Sequence, residues 1–257
     1  MAAALSVAAS SAAAASDSTA LAPALAAFRR RDFATAIKLA EPLAAKDDAD
    51  AQMLLGMAYF VGPEGGLKSD FNKAGEWFWR ASLLKDKEAA YGYALLTQVS
   101  MDVNDKERAK ETLAAAEMGS PGAMESIGEY LMTGLGIYIP QDDGQAMQWL
   151  TAAGRKGSLK AALFLGRCYM SGRLGSRPDP LEAYKWLWIA ANAPVVDPIQ
   201  EPLAPSYWWR KKDATDARFY LAEVGAKMTK EQIAEARRRA AAVGRAAPPA
   251  HPKPRPS

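Results

Sequence analysis

Cysteine and histidine are almost absent from this chain of 257 residues, which has one of each. The single cysteine, Cys168, cannot form an intramolecular disulfide, so disulfides do not hold the fold together. The single histidine, His251, lies in a proline-rich tail, where it is poorly placed for a catalytic pair with serine or cysteine or for a zinc site. We therefore expect no enzymatic activity, no metal and no cofactor.

Long apolar runs and a strong charge of one sign are also lacking. No apolar run approaches the ~20 residues that are needed to span a bilayer. The 32 basic and 29 acidic residues give a net charge of only +3, which does not favour nucleic acid or an anionic membrane as the main partner. We expect neither of these partners and no membrane span.

The first residues, MAAALSVAASSAAAASDS, are nearly all small and apolar. They include Ala13-Ala14-Ala15, which is similar to an export-signal cleavage site, but the basic stretch that normally opens such a signal is missing. Residues 1–19 are therefore predicted to be either a signal peptide or a disordered leader. A signal peptide would place the protein in the periplasm or outside the cell, and a leader would leave it in the cytoplasm.

A pattern of small and aromatic residues recurs along the chain. Gly56, Gly128 and Gly166 each have a second glycine six positions later. An Asp follows each of these segments, with Ala, Trp and Ala four, seven and eleven residues after the Asp. The three copies are Asp70, Ala74, Trp77 and Ala81; Asp142, Ala146, Trp149 and Ala153; and Asp179, Ala183, Trp186 and Ala190. A fourth, weaker copy has Ala94, Asp105, Ala109, Thr112 and Ala116.

This pattern predicts a unit of two helices. The period is about 38 residues, and the apolar positions have helical spacing. Asp70 and Asp179 are predicted to cap the second helix of their units, and Thr229 with Gln232 has the spacing of a capping box. The Ala, Trp and Ala positions share one face of the second helix, which we predict to be core.

These residues resemble the Sel1-like repeat family, which is related to tetratricopeptide repeats. The resemblance implies an all-α fold, a right-handed α/α solenoid of helix-turn-helix repeats that serves as an adaptor or assembly platform. The predicted divisions are a leader at 1–19, a tetratricopeptide-like half-unit at 20–50, four repeats at 51–88, 89–122, 123–160 and 161–191, a proline-rich connection at 192–205, capping helices at 206–244 and a disordered tail at 245–257.

The resemblance also suggests a binding surface. If the first helices line the concave side, positions one turn apart that the repeat pattern leaves free form an exposed stripe. Solenoid grooves are normally polar, so methionines and aromatic residues there suggest an adaptable peptide-binding surface, although packing between helices is the alternative. The stripe comprises Met53, Met57, Phe60, Tyr91, Leu95, Gln98, Glu125, Glu129, Met132, Leu163, Arg167 and Met170.

Three further tryptophans are candidates for recognition. Trp79 and Trp188 each follow the repeated Trp by two residues, so they point about 200° away from it. They either pack between adjacent units or form exposed anchors for a partner or a sugar ring. Trp208, in SYWWRKK, is a third candidate anchor, although a helix that covers the end of the array also accounts for it. The main hypothesis is thus a monomeric scaffold that binds a protein or peptide, and the alternative is a cell-wall or glycan-binding module.

Overall fold

The structure is a computed structural model, and it describes residues 20–61, 70–84, 86–99, 104–135, 138–193, 202–203 and 211–243. These residues form twelve helices and no strand. The helices are α1 (20–29), α2 (Phe33–Ala44), α3 (Ala49–Phe60), α4 (Phe71–Leu83), α5 (Lys87–Val99), α6 (Asp105–Glu117), α7 (Pro121–Thr133), α8 (Asp143–Arg155), α9 (Leu159–Ser171), α10 (Pro180–Asn192), α11 (Lys211–Gly225) and α12 (Lys230–Val243).

The chain divides into two compact units, Met1–Leu96 and Thr97–Ser257, with the boundary near the end of α5. In the first unit, α3 packs against both α2 and α4. In the second unit, each helix from α6 to α10 packs against the next, and α12 packs against α10. The predicted connection at 192–205 and tail at 245–257 lie almost entirely outside the described residues.

The predicted helix starts are confirmed. The carboxylate of Asp70 accepts a hydrogen bond from the Lys73 amide at 3.0 Å. Asp179 accepts from the amides of residues 181 and 182 at 2.9 and 3.1 Å. At the start of α12, the Gln232 amide donates to the Thr229 hydroxyl at 3.2 Å, and the Thr229 amide donates to the Gln232 side chain at 2.9 Å. Each cap satisfies amides that have no partner within the helix.

The repeated glycine marks the point where the first helix of a unit touches the second. A Cβ atom on this glycine would lie too close to a side chain of the second helix: 2.5 Å from the Phe78 ring at Gly56, 2.7 Å from Leu150 Cγ at Gly128, and 2.5 Å from Leu187 Cγ at Gly166. The glycine is therefore required because the two helices approach closely.

The predicted core face is present in all three clear copies, with one difference. Trp149 and Trp186 are 1% and 2% exposed, as predicted. Trp77 is only half-buried and lies against Arg80, whose guanidinium carbon is 4.9 Å from the ring centroid. The prediction that Trp77 is core is wrong because Phe78 fills this space, where its ring faces Gly56 and Gly92.

Replacement of Gly166 by Ala is expected to lower the free energy of unfolding by about 1–3 kcal/mol, because the added methyl group overpacks the contact with Leu187. Gly144→Ala is the matched control. Gly144 is exposed in α8, and the nearest atom to a Cβ there, Asp142 Oδ1, is 3.4 Å away. That change should stabilise the chain by up to about 1 kcal/mol, since Ala is the better helix former. Equal shifts of the two urea midpoints would contradict this account.

Candidate functional site

In the first unit, most of the predicted stripe is buried. Residues 51–58 of α3 are all buried, and Met53 and Met57 are 0% and 1% exposed. Tyr91 is buried as well. The prediction that these three residues are exposed is wrong, because α3 is enclosed on every face and its methionines fill the core. Phe60 is half-buried, with its ring centroid 6.0 Å from that of Phe71.

Of the two remaining stripe residues in α5, only Leu95 has a described side chain. Leu95 is half-buried, and the side chain of Gln98 lies outside the described residues. In the second unit, Glu125 and Leu163 are buried, so the prediction that they are exposed is also wrong. The remaining stripe residues of this unit reach the surface: Glu129, Met132 and Met170 are half-buried, and Arg167 is exposed.

Glu125 holds the first helices of two successive units side by side. It lies on α7, and its carboxylate accepts a hydrogen bond of 2.5 Å from the hydroxyl of Ser158, the residue that caps α9. Lys160 Nζ lies 2.7 Å from the same carboxylate and 4.0 Å from Glu129 Oε1. A buried carboxylate needs such partners, so the role of Glu125 is to join α7 to α9.

Glu129 is the partly exposed member of this cluster. Burial raises the pKa of its carboxyl group, the positive charge of Lys160 acts against the rise, and the negative charge of Glu125 adds to it. Its side chain is 42% exposed. Glu129 thus places an acidic group on the surface beside the junction of α7 and α9.

A pocket of about 270 Å³ lies between α9 and α11. Two residues of the predicted stripe, Arg167 and Met170, line it together. Tyr220 had no signal in the sequence, because α11 carries no repeat pattern from which its position could be inferred. The full lining is Phe164, Arg167, Cys168, Met170, Ser171, Arg173 and Tyr220.

The pocket combines an apolar wall with positive charge. Arg167 lies over the Tyr220 ring, with 5.2 Å between its guanidinium carbon and the ring centroid. Burial raises the pKa of the Cys168 thiol, and the positive charges of Arg173 and Arg167 act against this rise. Both arginines line the pocket. A buried thiol with a raised pKa is a poor nucleophile, so Cys168 serves here as an apolar surface.

Comparison with known families identifies the repeat. The Sel1 repeat model matches residues 49–86, 121–158 and 159–194. The chain contains three Sel1 repeats. The resemblance found in the sequence is confirmed, and Sel1 repeat proteins generally act as protein-interaction scaffolds. The predicted repeat at 89–122 lies between the first two matches and stays a prediction.

Two solved structures share the fold. A Sel1 repeat protein from Oxalobacter formigenes is 26% identical, with a TM-score of 0.56 over 74% of this chain and 78% of that one. A protective antigen present in uropathogenic Escherichia coli strains, which displays an SLR fold, is 20% identical with a TM-score of 0.54. That match covers 79% of this chain but only 43% of the antigen. No curated protein matches the chain. The predicted all-α solenoid fold is thus confirmed.

The two equivalent tryptophans have different surroundings. Trp188, in the last Sel1 repeat, stacks on Tyr184 with ring centroids 6.1 Å apart, and the Arg237 guanidinium carbon lies 4.1 Å from the Trp188 centroid. Trp188 therefore packs against the C-terminal helix α12. Trp79, on α4, is 50% exposed. Trp208 lies outside the described residues.

The described residues provide no metal centre, since they contain no group of three or more His, Cys, Asp or Glu that could hold an ion. None of the described helices is long and apolar enough to cross a membrane.

Proposed function

We propose that this Sel1-repeat protein is a non-catalytic scaffold that binds a protein or peptide partner on the surface formed by α9 and α11. The pocket between these helices carries the proposal, because it brings Arg167 and Met170 of the predicted stripe together with Tyr220. Methionine adapts to partners of different shape, and a tyrosine offers an apolar ring with a polar tip.

The size of the pocket favours a side chain of a larger partner over a free small molecule. Its volume of about 270 Å³ falls below the range of about 300–1,000 Å³ that is usual for small-molecule sites. An open pocket of this kind suits one or two anchoring side chains of a short segment, with the remaining contacts spread over neighbouring helices.

The glycan-binding alternative receives no support from the tryptophans that suggested it. Arg237 lies over the Trp188 ring and Tyr184 stacks beside it, so a sugar ring would have to compete with these contacts. Of the described candidates, Trp79 alone is as much as half exposed, and a single aromatic ring offers little specificity for a polymer.

The proposal is tested by capture of partners from the source cells, followed by quantification of one recovered protein with purified components. The doubly substituted variant Met170→Glu, Tyr220→Ala should weaken binding about tenfold or more, which corresponds to about 1.4 kcal/mol. Periplasmic and cytoplasmic fractions are used separately, because the compartment is predicted only from residues 1–19.

The control is Leu39→Glu, which makes a comparable apolar-to-acidic change at a site on α2 that is 41% exposed. It should leave partner binding unchanged. Full binding by the pocket variant, with helicity intact in both proteins, would place the partner site elsewhere on the chain.

A further inference from the structure

Among the described residues, the two arginines of the α9–α11 pocket lack the carboxylate partners that several other cations of the second unit have. On α12, Arg238 and Arg239 both pair with Glu235, and on α11 Lys212 pairs with Asp216. Within the part of the chain that the structure describes, neither Arg167 nor Arg173 forms an ion pair or donates a side-chain hydrogen bond. The pocket thus holds two positive charges that no described carboxylate neutralises.

The geometry of Arg167 leaves its donors available. Its guanidinium lies over the Tyr220 ring, so the ring occupies one face of the planar group. The five N–H donors of an arginine point outward in the guanidinium plane, and they match the two oxygens of a carboxylate. Stacking on the ring limits the motion of the side chain without using these donors.

Apolar groups adjoin these charges. Phe164, Met170 and the Cys168 thiol line the same pocket. A ligand that fits both parts needs a carboxylate and an adjacent apolar group. A peptide segment supplies this combination when an acidic residue lies next to a large aliphatic one.

We propose that the α9–α11 pocket recognises the side-chain carboxylate of an Asp or Glu that adjoins an aliphatic residue in a partner peptide. The carboxylate pairs with Arg167 and Arg173, and the aliphatic side chain packs against Phe164 and Met170. This inference rests on the proposed scaffold function and specifies the chemistry of its partner.

The test uses short synthetic peptides in matched sets that share flanking residues and differ at one position: Asp-Leu, Asn-Leu, Lys-Leu and phosphoserine-Leu. Fluorescence anisotropy with the full chain should show about tenfold tighter binding of Asp-Leu than of Asn-Leu. Arg167→Gln and Arg173→Gln should each reduce this preference, and raised salt should weaken Asp-Leu binding selectively. Arg238→Gln, which alters an exposed arginine on α12, should leave the preference unchanged.

A charge-reversed variant adds a test that expects a gain of binding to a different peptide rather than a loss. Arg167→Glu combined with Arg173→Glu should bind Lys-Leu peptides more tightly than Asp-Leu peptides, with circular dichroism unchanged. Equal binding of Asp-Leu and Asn-Leu peptides overturns the inference. A preference for phosphoserine-Leu over Asp-Leu overturns it as well. So does a preference for Asp-Leu over Asn-Leu that is unchanged in both Arg167→Gln and Arg173→Gln. The scaffold proposal has its own test, and it fails if the Met170→Glu, Tyr220→Ala variant keeps full binding to the captured partner.

Discussion

Replacement of Trp149 by Ala is expected to lower the free energy of unfolding by about 3–5 kcal/mol. Trp149 lies on α8 and is 1% exposed. Since α8 packs against both α7 and α9, neither neighbour can collapse fully into the space that the indole leaves. The cost therefore combines the lost burial of a large apolar group with the cost of a cavity.

Urea unfolding followed by circular dichroism measures this effect, and Arg238→Ala is the control. Arg238 is exposed and pairs with Glu235 at 2.8 Å, and exposed pairs of this kind contribute little. Its removal should change the free energy of unfolding by no more than about 0.5 kcal/mol. Because the chain has two compact units, the data should be examined for two transitions, and Trp149→Ala should shift the one that belongs to the second unit. Equal effects of the two substitutions would show that Trp149 is not a core residue.

Short-range patterns in the sequence were sufficient to predict the repeat. The Asp that opens each second helix needs only its own side chain and the next few amides, so Asp70 and Asp179 could be identified without knowledge of the tertiary fold. The repeated glycine also reports a local contact, between two helices of the same unit. The exception is the first copy, where Phe78 rather than Trp77 fills the core. This difference depends on the additional contact of Phe78 with Gly92 on α5.

The pocket could not be predicted in this way. Arg167 and Tyr220 are separated by 53 positions and lie on helices of different kinds, one inside a matched repeat and one outside all of them. Only the first belongs to the periodic pattern, so the register of α11 against α9 had no signal in the sequence. For the same reason, the repeat pattern assigned equivalent roles to Trp79 and Trp188, although Trp188 lies against Arg237 of α12 and Trp79 is 50% exposed.

The burial of the first part of the stripe did have a signal. The α3 sequence, ADAQMLLGMAYF, carries apolar residues on all of its faces, and a helix of this kind is usually enclosed on all sides. A position that the repeat pattern leaves free is therefore not necessarily exposed. Neighbouring helices can enclose such a position even though the repeat pattern does not fix its residue type.

Met57→Ala is accordingly expected to lower the free energy of unfolding by about 2–5 kcal/mol, as for other large-to-small changes in a core. Met170→Ala is the matched control, since the same change is made at a half-buried stripe residue of the last repeat, where it should cost less than about 1 kcal/mol. Urea melts of both variants compare the two sites directly. Loss of stability at Met57 with retained stability at Met170 would show that the first repeat uses its stripe for packing, whereas the last leaves it available to a partner. A Met57→Ala protein as stable as the unmodified chain would show instead that α3 is open to solvent, and a binding surface on the first unit would have to be considered again.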